Sequence, residues 1–192
     1  KPAGITSFDV VRQVRRAAGI RKVGHAGTLD PAATGVLPIA IGDATKLIEQ
    51  LVDSQKSYRG VIRFGATTDT YDSDGEVTEE FNTSGLTREA IEAQLDQFRG
   101  EIQQVPPAYS AVKRQGVPAY RAARRGEPME LDARPVTVYD LAVDELDTSD
   151  PKRPCITVDV RCSRGFYVRS LAYDLGAALG VALVAASRHY LH

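Results

Sequence analysis

The side chain best suited to chemistry is the Asp30 carboxylate, which lies in residues 24–31 with the sequence GHAGTLDP. Gly and Pro interrupt this stretch too often for a helix, so we expect a loop, and loops held by rigid elements concentrate catalytic residues. Pro31 keeps Asp30 out of the helical backbone region and thereby restricts how its carboxylate is presented. The alternative is an Asp that stabilises its own turn, as Asp-Pro often does, and the local sequence alone favours this alternative.

Three other side chains could take part in chemistry. His25 lies five residues before Asp30 and near basic residues, where it could stack on a nucleobase, although a lone loop His is more often a hydrogen-bonding or exposed residue. Tyr58 lies on an alternating strand, and its ordinary interpretation is a core aromatic with a partner for its hydroxyl. Arg169 would normally be a surface charge, but a guanidinium is the group best suited to hold a carboxylate in one orientation.

The charge distribution is more informative than the net charge. The formal net charge of −1 argues weakly against a nucleic-acid partner, and the 43% hydrophobic and 26% charged residues are ordinary for a globular protein. Segments 10–29, 102–126 and 160–173 nevertheless hold 13 of the 24 Lys and Arg and contain no acidic residue. These segments could form one basic face that meets phosphates, or three separate solvated surfaces, and composition does not decide between them.

Several classes of protein are disfavoured. Cys155 and Cys162 lie seven residues apart on one predicted strand, so they point to opposite faces and cannot form a disulfide, which favours a reducing cytoplasm. No Cys/His cluster has metal-ligand spacing, so we expect no metal. No apolar run is long enough to span a bilayer, and no signal peptide is visible, so we expect a cytoplasmic protein without a membrane partner.

The elements that must position these residues mix helices and strands. Capping residues and apolar periodicity predict helices that begin at Thr6 or Ser7, Asp43, Thr87, Pro118 and Val168 and end near Ala18, Val52, Gly100, Arg125 and Leu179. Alternation and apolar runs predict strands at 35–41, 57–64, 136–143 and 155–162, and an acidic loop or hairpin at 67–80 with a turn at Asp74-Gly75.

The first two helices are predicted to bury apolar stripes, formed by Phe8, Val11 and Val14 in the first and by Leu47, Ile48, Leu51 and Val52 in the second. Because there is no strict βαβ rhythm, we predict an α+β fold with a mixed, mainly antiparallel central sheet flanked by helices. No linker or repeat divides the chain, so residues 1–192 are expected to form a single domain.

Five segments, taken together and in order, make the sequence specific. They are KPAGITS at 1–7, GHAGTLDPAATGVLP at 24–38, KSYR at 56–59, PPAYSAVK at 106–113 and GFYVRS at 165–170. This set resembles the bacterial tRNA pseudouridine-55 synthases of the TruB type over nearly the whole chain. The resemblance implies the pseudouridine synthase catalytic core, with a T-loop uridine of tRNA as substrate.

The resemblance also implies roles for the residues singled out above. Asp30 is the nucleophile or covalent catalyst, Tyr58 stacks on the target uracil and serves in proton transfer, and Arg169 pairs with Asp30. His25 resembles the family's histidine that enters the RNA loop and supports the flipped-out base. Tyr167 lines the uracil pocket.

Lys113 and Tyr109 are implied to support the site rather than perform chemistry. The isomerisation has no redox step and no group donor, so no cofactor is expected. The expected partner is the T-stem-loop of tRNA, and the expected state is a monomer.

The C-terminal part departs from the family pattern. Residues 181–190, VALVAASRHY, lack the family's Gly-Ala-His step and Leu-Arg-Arg-Thr segment, so Leu183 and Ala186 are both candidates for the apolar residue that covers the uracil. The C-terminal RNA-binding extension is expected to be absent. Two alternatives stay open: a dyskerin-like synthase that works with guide RNAs and partner proteins, and a non-catalytic RNA-binding or tRNA-folding protein.

Overall fold

The computed structural model describes residues 1–52, 55–72, 75–181 and, as backbone, 183–191. The helices are α1 (Ser7–Ala18), α2 (Ile48–Val52), α3 (Arg88–Leu95), α4 (Ala119–Ala123) and α5 (Val168–Leu179). The strands are β1 (Val23–His25), β2 (Thr34–Gly35), β3 (Ile39–Ile41), β4 (Lys56–Phe64), β5 (Ala66–Thr68), β6 (Val77–Glu80), β7 (Gly100–Gln104), β8 (Lys113–Arg114), β9 (Val117–Pro118), β10 (Arg134–Asp147), β11 (Cys155–Cys162) and β12 (Leu183–Leu191).

A six-stranded sheet forms the centre of the fold, with strand order β2-β12-β4-β11-β10-β7. Four of its five strand pairs are antiparallel, and the β12–β2 pair is parallel. The pairs β1–β3, β5–β6 and β8–β9 form separate two-stranded sheets. The predicted α+β class with a mixed, mainly antiparallel sheet is therefore confirmed.

The hydrophobic core lies between one face of this sheet and the helices α3 and α5. The alternation predicted for β4 is present, since Ile62 and Phe64 are fully buried while Arg59 and Arg63 are exposed. Leu171 and Leu175 of α5 pack in the same core cluster. This packing fixes α5 across the sheet, with its first turn carrying Arg169.

Helix α1 has the predicted bounds, but one of its predicted core residues is wrong. Thr6 forms a capping box with Asp9, and Gly19 ends the helix with a φ of 65°. Phe8 is 53% exposed, and the Arg15 guanidinium lies over its ring. The buried stripe runs instead through Ser7 and Val11, one turn apart, which rotates Phe8 toward solvent.

The predicted strand at 35–41 is wrong, because it is divided between two sheets. Thr34–Gly35 pairs with β12, whereas Ile39–Ile41 pairs with β1. Pro38 lies between these strands and has no N–H to donate to a ladder.

The second helix was also predicted incorrectly. Gly42–Leu47 forms a 3₁₀ helix whose N-cap, Ile41, makes no side-chain cap hydrogen bond, so Asp43 lies inside the first turn rather than capping it. Only the five-residue α2 follows. The predicted stripe is not buried, and Leu47 and Leu51 are largely exposed.

The remaining predicted elements agree with the structure except for their extents. The helices capped by Thr87 and beginning at Val168 are present, and Ala66–Thr68 pairs with Val77–Glu80 as the β5–β6 hairpin. Strand β10 is longer than predicted, and β1, β7, β8, β9 and β12 were not predicted. Asp74 of the predicted turn and the side chains of Leu183 and Ala186 lie outside the described residues.

Cys155 is half-buried and Cys162 is buried, and both are free thiols. The alternating burial along β11 agrees with the prediction that they face opposite sides of the sheet. In the part of the chain that the structure describes, no helix has both the length and the apolar character needed to cross a bilayer.

Candidate active site

The loop that carries Asp30 is anchored just before Asp30 by a buried serine of α1. The Ser7 hydroxyl accepts a hydrogen bond from the Leu29 N–H (2.9 Å), lies 3.2 Å from the Leu29 carbonyl and is 4% exposed. The Pro31 carbonyl accepts hydrogen bonds from the Gly4 N–H (2.8 Å) and from Lys1 Nζ (2.9 Å). The residues on both sides of Asp30 are therefore held in place, while its own carboxylate is about one-third exposed.

Arg169 of α5 contacts this carboxylate with two nitrogens. Its Nη2 donates to Asp30 Oδ1 at 3.2 Å, and its Nε lies 3.2 Å from Asp30 Oδ2. The Arg169 side chain is only 6% exposed, so the pair is shielded on the guanidinium side. Two parallel contacts of this kind set the plane of the carboxylate as well as its position.

The other donors of Arg169 are directed at three further acceptors. Nη1 donates to the Thr70 carbonyl (3.2 Å) and lies 3.5 Å from Asp72 Oδ2, and Nη2 also donates to the Tyr109 carbonyl (3.0 Å). Arg169 thus joins three segments that are far apart in the sequence: the Asp30 loop, the β5–β6 hairpin and the segment after β7.

Asp72 was not identified from the sequence, because it lies in an acidic block that predicts only a loop. The structure shows why it reaches Arg169. Tyr71 has a φ of 60° and stacks on Tyr173, with ring centroids 4.4 Å apart. Tyr173 lies one turn after Arg169 on α5, so this contact brings the residues on either side of Tyr71 to the guanidinium.

Tyr58 lies on β4 of the central sheet, and Tyr167 lies two residues before Arg169. Tyr58 is half-buried on β4, and its ring lies 6.4 Å from that of the buried Phe166 with an interplanar angle of 23°. Tyr167 is the N-cap residue of α5. Burial raises the pKa of the Tyr167 hydroxyl, and the Arg169 charge and the Asp30 carboxylate both act on it, in opposite directions.

His25 and Lys113 lie outside the ion-pair network. His25 ends β1, where it pairs with Ile39, and its Nδ1 is buried without a hydrogen-bond partner among the described residues. Lys113 is exposed on β8 of a small hairpin. The described contacts therefore join Asp30 to Arg169, place Tyr167 two residues before Arg169 and leave Lys113 at the surface.

Residues 15–168 match the family described as TruB family pseudouridylate synthase, N-terminal domain. The chain belongs to the TruB family. The segment matched includes the Asp30 loop, β4 with Tyr58 and the start of α5, and it ends one residue before Arg169. No group of three or more His, Cys, Asp or Glu within the described ranges could hold a metal ion.

Curated relatives of this TruB-family chain include two bacterial proteins named tRNA pseudouridine synthase B. The one from Clostridium perfringens is 47% identical over 181 residues, which is 94% of this chain and 60% of the relative. The one from Synechococcus sp. is 49% identical over 180 residues, which is 94% of this chain and 59% of the relative. The chain thus spans about 60% of the length of the curated relatives it matches.

Two solved structures illustrate the fold that this chain shares with known proteins. An H/ACA RNP bound to a substrate RNA containing 2′-deoxyuridine matches with a TM-score of 0.68 and 25% identity, over 100% of this chain and 45% of that one. A Cbf5-Nop10-Gar1 complex matches with a TM-score of 0.64 and 30% identity, over 99% of this chain and 45% of that one.

Proposed function

We propose that this chain is the catalytic domain of a tRNA pseudouridine synthase that isomerises the uridine at position 55 in the T-loop. The observation that carries the proposal is the two-atom contact between Arg169 and Asp30, made in a chain of the TruB family. A surface turn residue needs no buried guanidinium, whereas a carboxylate that must act at a fixed place does.

The reaction that this site would perform needs only side chains. The bond from uracil N1 to ribose C1′ breaks, the base turns, and C5 of the base bonds to C1′. C5 then loses its proton and N1 takes one up, so the product is an isomer of the substrate. Asp30 stabilises or traps the reacting species covalently while the base is detached. Arg169 favours the charged form of Asp30, because a neighbouring guanidinium stabilises a carboxylate.

The aromatic residues are assigned to the base. A uracil inside a folded T-loop has to leave its stack, which costs a few kcal/mol, and stacking on a protein ring recovers about 1–3 kcal/mol of this. Tyr58 supplies that ring and takes part in proton transfer, and Tyr167 lines the pocket. His25 supports the flipped-out conformation, and the exposed Lys113 is assigned to phosphate contact.

The relatives support tRNA rather than guide-directed RNA as substrate. The bacterial proteins named tRNA pseudouridine synthase B are 47% and 49% identical to this chain, whereas the Cbf5-type structures are 25% and 30% identical. We propose accordingly that the enzyme acts on the T-stem-loop as a monomer in the cytoplasm, without guide RNA or partner proteins.

Incubation of the purified chain with an unmodified tRNA transcript tests this proposal, with pseudouridine mapped by mass spectrometry. The proposal predicts one pseudouridine, in the T-loop, formed without added RNA or protein. A control transcript with cytidine at that position should remain unmodified. Tight binding of tRNA without product would favour the non-catalytic RNA-binding alternative, and product only after addition of a guide RNA would favour the dyskerin-like one.

A further inference from the structure

Gln104, the last residue of β7, is one of the most deeply buried polar side chains in the described structure, with 2% exposure. Its amide makes two hydrogen bonds to the backbone of a single residue. Oε1 accepts from the Tyr167 N–H at 2.8 Å, and Nε2 donates to the Tyr167 carbonyl at 3.1 Å. The side chain therefore holds both polar backbone groups of Tyr167, 63 residues further along the chain. It supplies the acceptor for the Tyr167 N–H, and it is a second donor to the Tyr167 carbonyl, which also accepts from the Leu171 N–H.

The position of Tyr167 makes this contact important. Tyr167 is the N-cap of α5, has extended backbone angles (φ −123°, ψ 119°) and makes no side-chain cap hydrogen bond. The next residue but one is Arg169, which holds Asp30. The orientation of the first turn of α5, which begins directly after Tyr167, therefore determines the position of the Arg169 guanidinium.

A third hydrogen bond joins the same two elements. The Ser170 hydroxyl donates to the Val105 carbonyl at 2.6 Å, and Ser170 is 2% exposed. The end of β7 and the start of α5 are thus joined through Gln104 and Val105 on one side and Tyr167 and Ser170 on the other. Beyond Val105 the chain continues to Tyr109, whose carbonyl accepts from Arg169.

We propose that Gln104 is a positioning residue of the active site: its amide fixes the backbone of Tyr167 and thereby the placement of the Tyr167 ring and the Arg169 guanidinium. An amide is suited to this role because it offers one donor and one acceptor side by side. The catalytic consequence rests on the proposed function, whereas the positioning itself is a property of the fold.

Two substitutions separate hydrogen bonding from packing. Gln104→Met keeps an unbranched side chain of similar size and removes both hydrogen bonds. The Tyr167 N–H then loses its Gln104 acceptor, which is costly for a partly buried group, while the Tyr167 carbonyl keeps its hydrogen bond from the Leu171 N–H at 3.1 Å. Gln104→Glu keeps the acceptor for the Tyr167 N–H but, when ionised, places an oxygen against the Tyr167 carbonyl. Gln103→Met is the matched control, because Gln103 is the exposed neighbour on the same strand.

The first measurement is the single-turnover rate of pseudouridine formation at saturating tRNA, together with the tRNA dissociation constant. Displacement of catalytic groups by about 1 Å lowers rates by about 100-fold, so we expect both Gln104 variants to be about 10- to 100-fold slower. The change in dissociation constant should be smaller than the change in rate. Gln103→Met should match the wild type.

Loss of stability alone would also slow the enzyme, so a second control is needed. Ile156→Ala removes buried side-chain volume from β11 without touching Gln104 or Tyr167. Rates are compared at equal fractions of folded protein. If the Gln104 variants are then no slower than Ile156→Ala, the amide is only structural and the inference is overturned.

A readout that needs no activity separates this inference from the proposed function. Tyrosine labelled with ¹³C at Cζ gives one NMR resonance per tyrosine, and Tyr167→Phe identifies that of Tyr167. Gln104→Met should shift this resonance while Gln103→Met leaves it unchanged. An unchanged Tyr167 resonance in Gln104→Met overturns the inference. If the resonance shifts in Gln104→Met but the wild-type protein makes no pseudouridine, only the proposed function is overturned.

Discussion

Arg169 holds Asp30 by two contacts of 3.2 Å, one from Nε and one from Nη2, across a separation of 139 residues in the sequence. Since the guanidinium is buried and the carboxylate is partly open to solvent, the arrangement presents a charged oxygen at a fixed place. The proposed mechanism depends on this presentation.

Arg169→Lys tests whether the two-atom contact matters beyond its charge. Lysine keeps the positive charge but makes a single, freely rotating contact, so Asp30 loses its fixed plane. We expect the single-turnover rate to fall by about 100-fold, which corresponds to about 2.7 kcal/mol. Arg88→Lys, in an exposed pair with Glu92 on α3, is the matched control and should leave the rate unchanged. A rate within twofold of wild type in Arg169→Lys would refute the role assigned to the two-nitrogen contact of Arg169 with Asp30.

Asp72→Asn tests the second carboxylate at the guanidinium. The substitution keeps the shape of the side chain but removes a negative charge 3.5 Å from Arg169 Nη1. We expect a loss of about tenfold in single-turnover rate, smaller than for Arg169→Lys because the contact with Asp30 remains. Asp140→Asn, at an exposed position of β10, serves as the control. Equal effects of the two asparagine substitutions would show that Asp72 has no special part.

Tyr58 combines two proposed roles that substitution can separate. Tyr58→Phe keeps the ring beside Phe166 and removes only the hydroxyl, so tRNA affinity should be retained. If the hydroxyl transfers a proton, the rate should fall by about 100-fold or more. Tyr58→Ala should in addition weaken binding by about 1–3 kcal/mol, because the stacking surface is lost. A fully active Tyr58→Phe enzyme would limit Tyr58 to stacking.

The sequence predicted best what depends on local pattern. Thr6 and Gly19 bound α1 as expected, and alternation identified β4 because a half-buried strand repeats every two residues. The pattern failed where tertiary contacts decide burial: Phe8 fits an apolar stripe, yet the contact of Ser7 with Leu29 turns it outward.

The residues of the candidate site also divide into those that local sequence segments indicate and those that only tertiary contacts reveal. Asp30, Tyr58 and Arg169 could be proposed from the sequence because they lie in recognisable segments, whereas the contacts of Asp72 and Gln104 depend on distant elements. An acidic loop shows no signal for the one carboxylate that meets Arg169. Nothing in the sequence around Gln104, which ends a strand that was not predicted, indicates that its side chain binds the backbone of Tyr167.

Asp174 gives the fold a measurable pH dependence. Burial raises its pKa from 3.8 to about 6, so the folded state binds a proton more tightly than the unfolded state. Between about pH 4 and pH 6 the folded state therefore holds more protons, and stability falls as the pH rises through this window. Asp174→Asn removes the carboxylate whose ionisation destabilises the folded state. The variant should therefore be more stable than wild type at pH 7.5, by about 1 kcal/mol for a half-buried group.

Denaturant unfolding at pH 4.5 and pH 7.5 measures this effect as the difference between variant and wild type. The difference should be larger at pH 7.5. Asp147→Asn is an internal control of opposite sign, because hydrogen bonds from Ser149 lower the pKa of Asp147 and its contribution is present above about pH 4. A difference for Asp174→Asn that does not change with pH would contradict the assignment.

The catalytic role of Asp30 is tested most directly by Asp30→Asn, assayed beside the wild type for pseudouridine in the T-loop of an unmodified tRNA transcript. Asparagine keeps the size of the side chain and removes the charge and the nucleophilic oxygen. We predict that wild type converts the T-loop uridine and that Asp30→Asn still binds tRNA but forms no detectable pseudouridine. Formation of pseudouridine by Asp30→Asn at the wild-type rate would contradict the assignment of Asp30 as the catalyst.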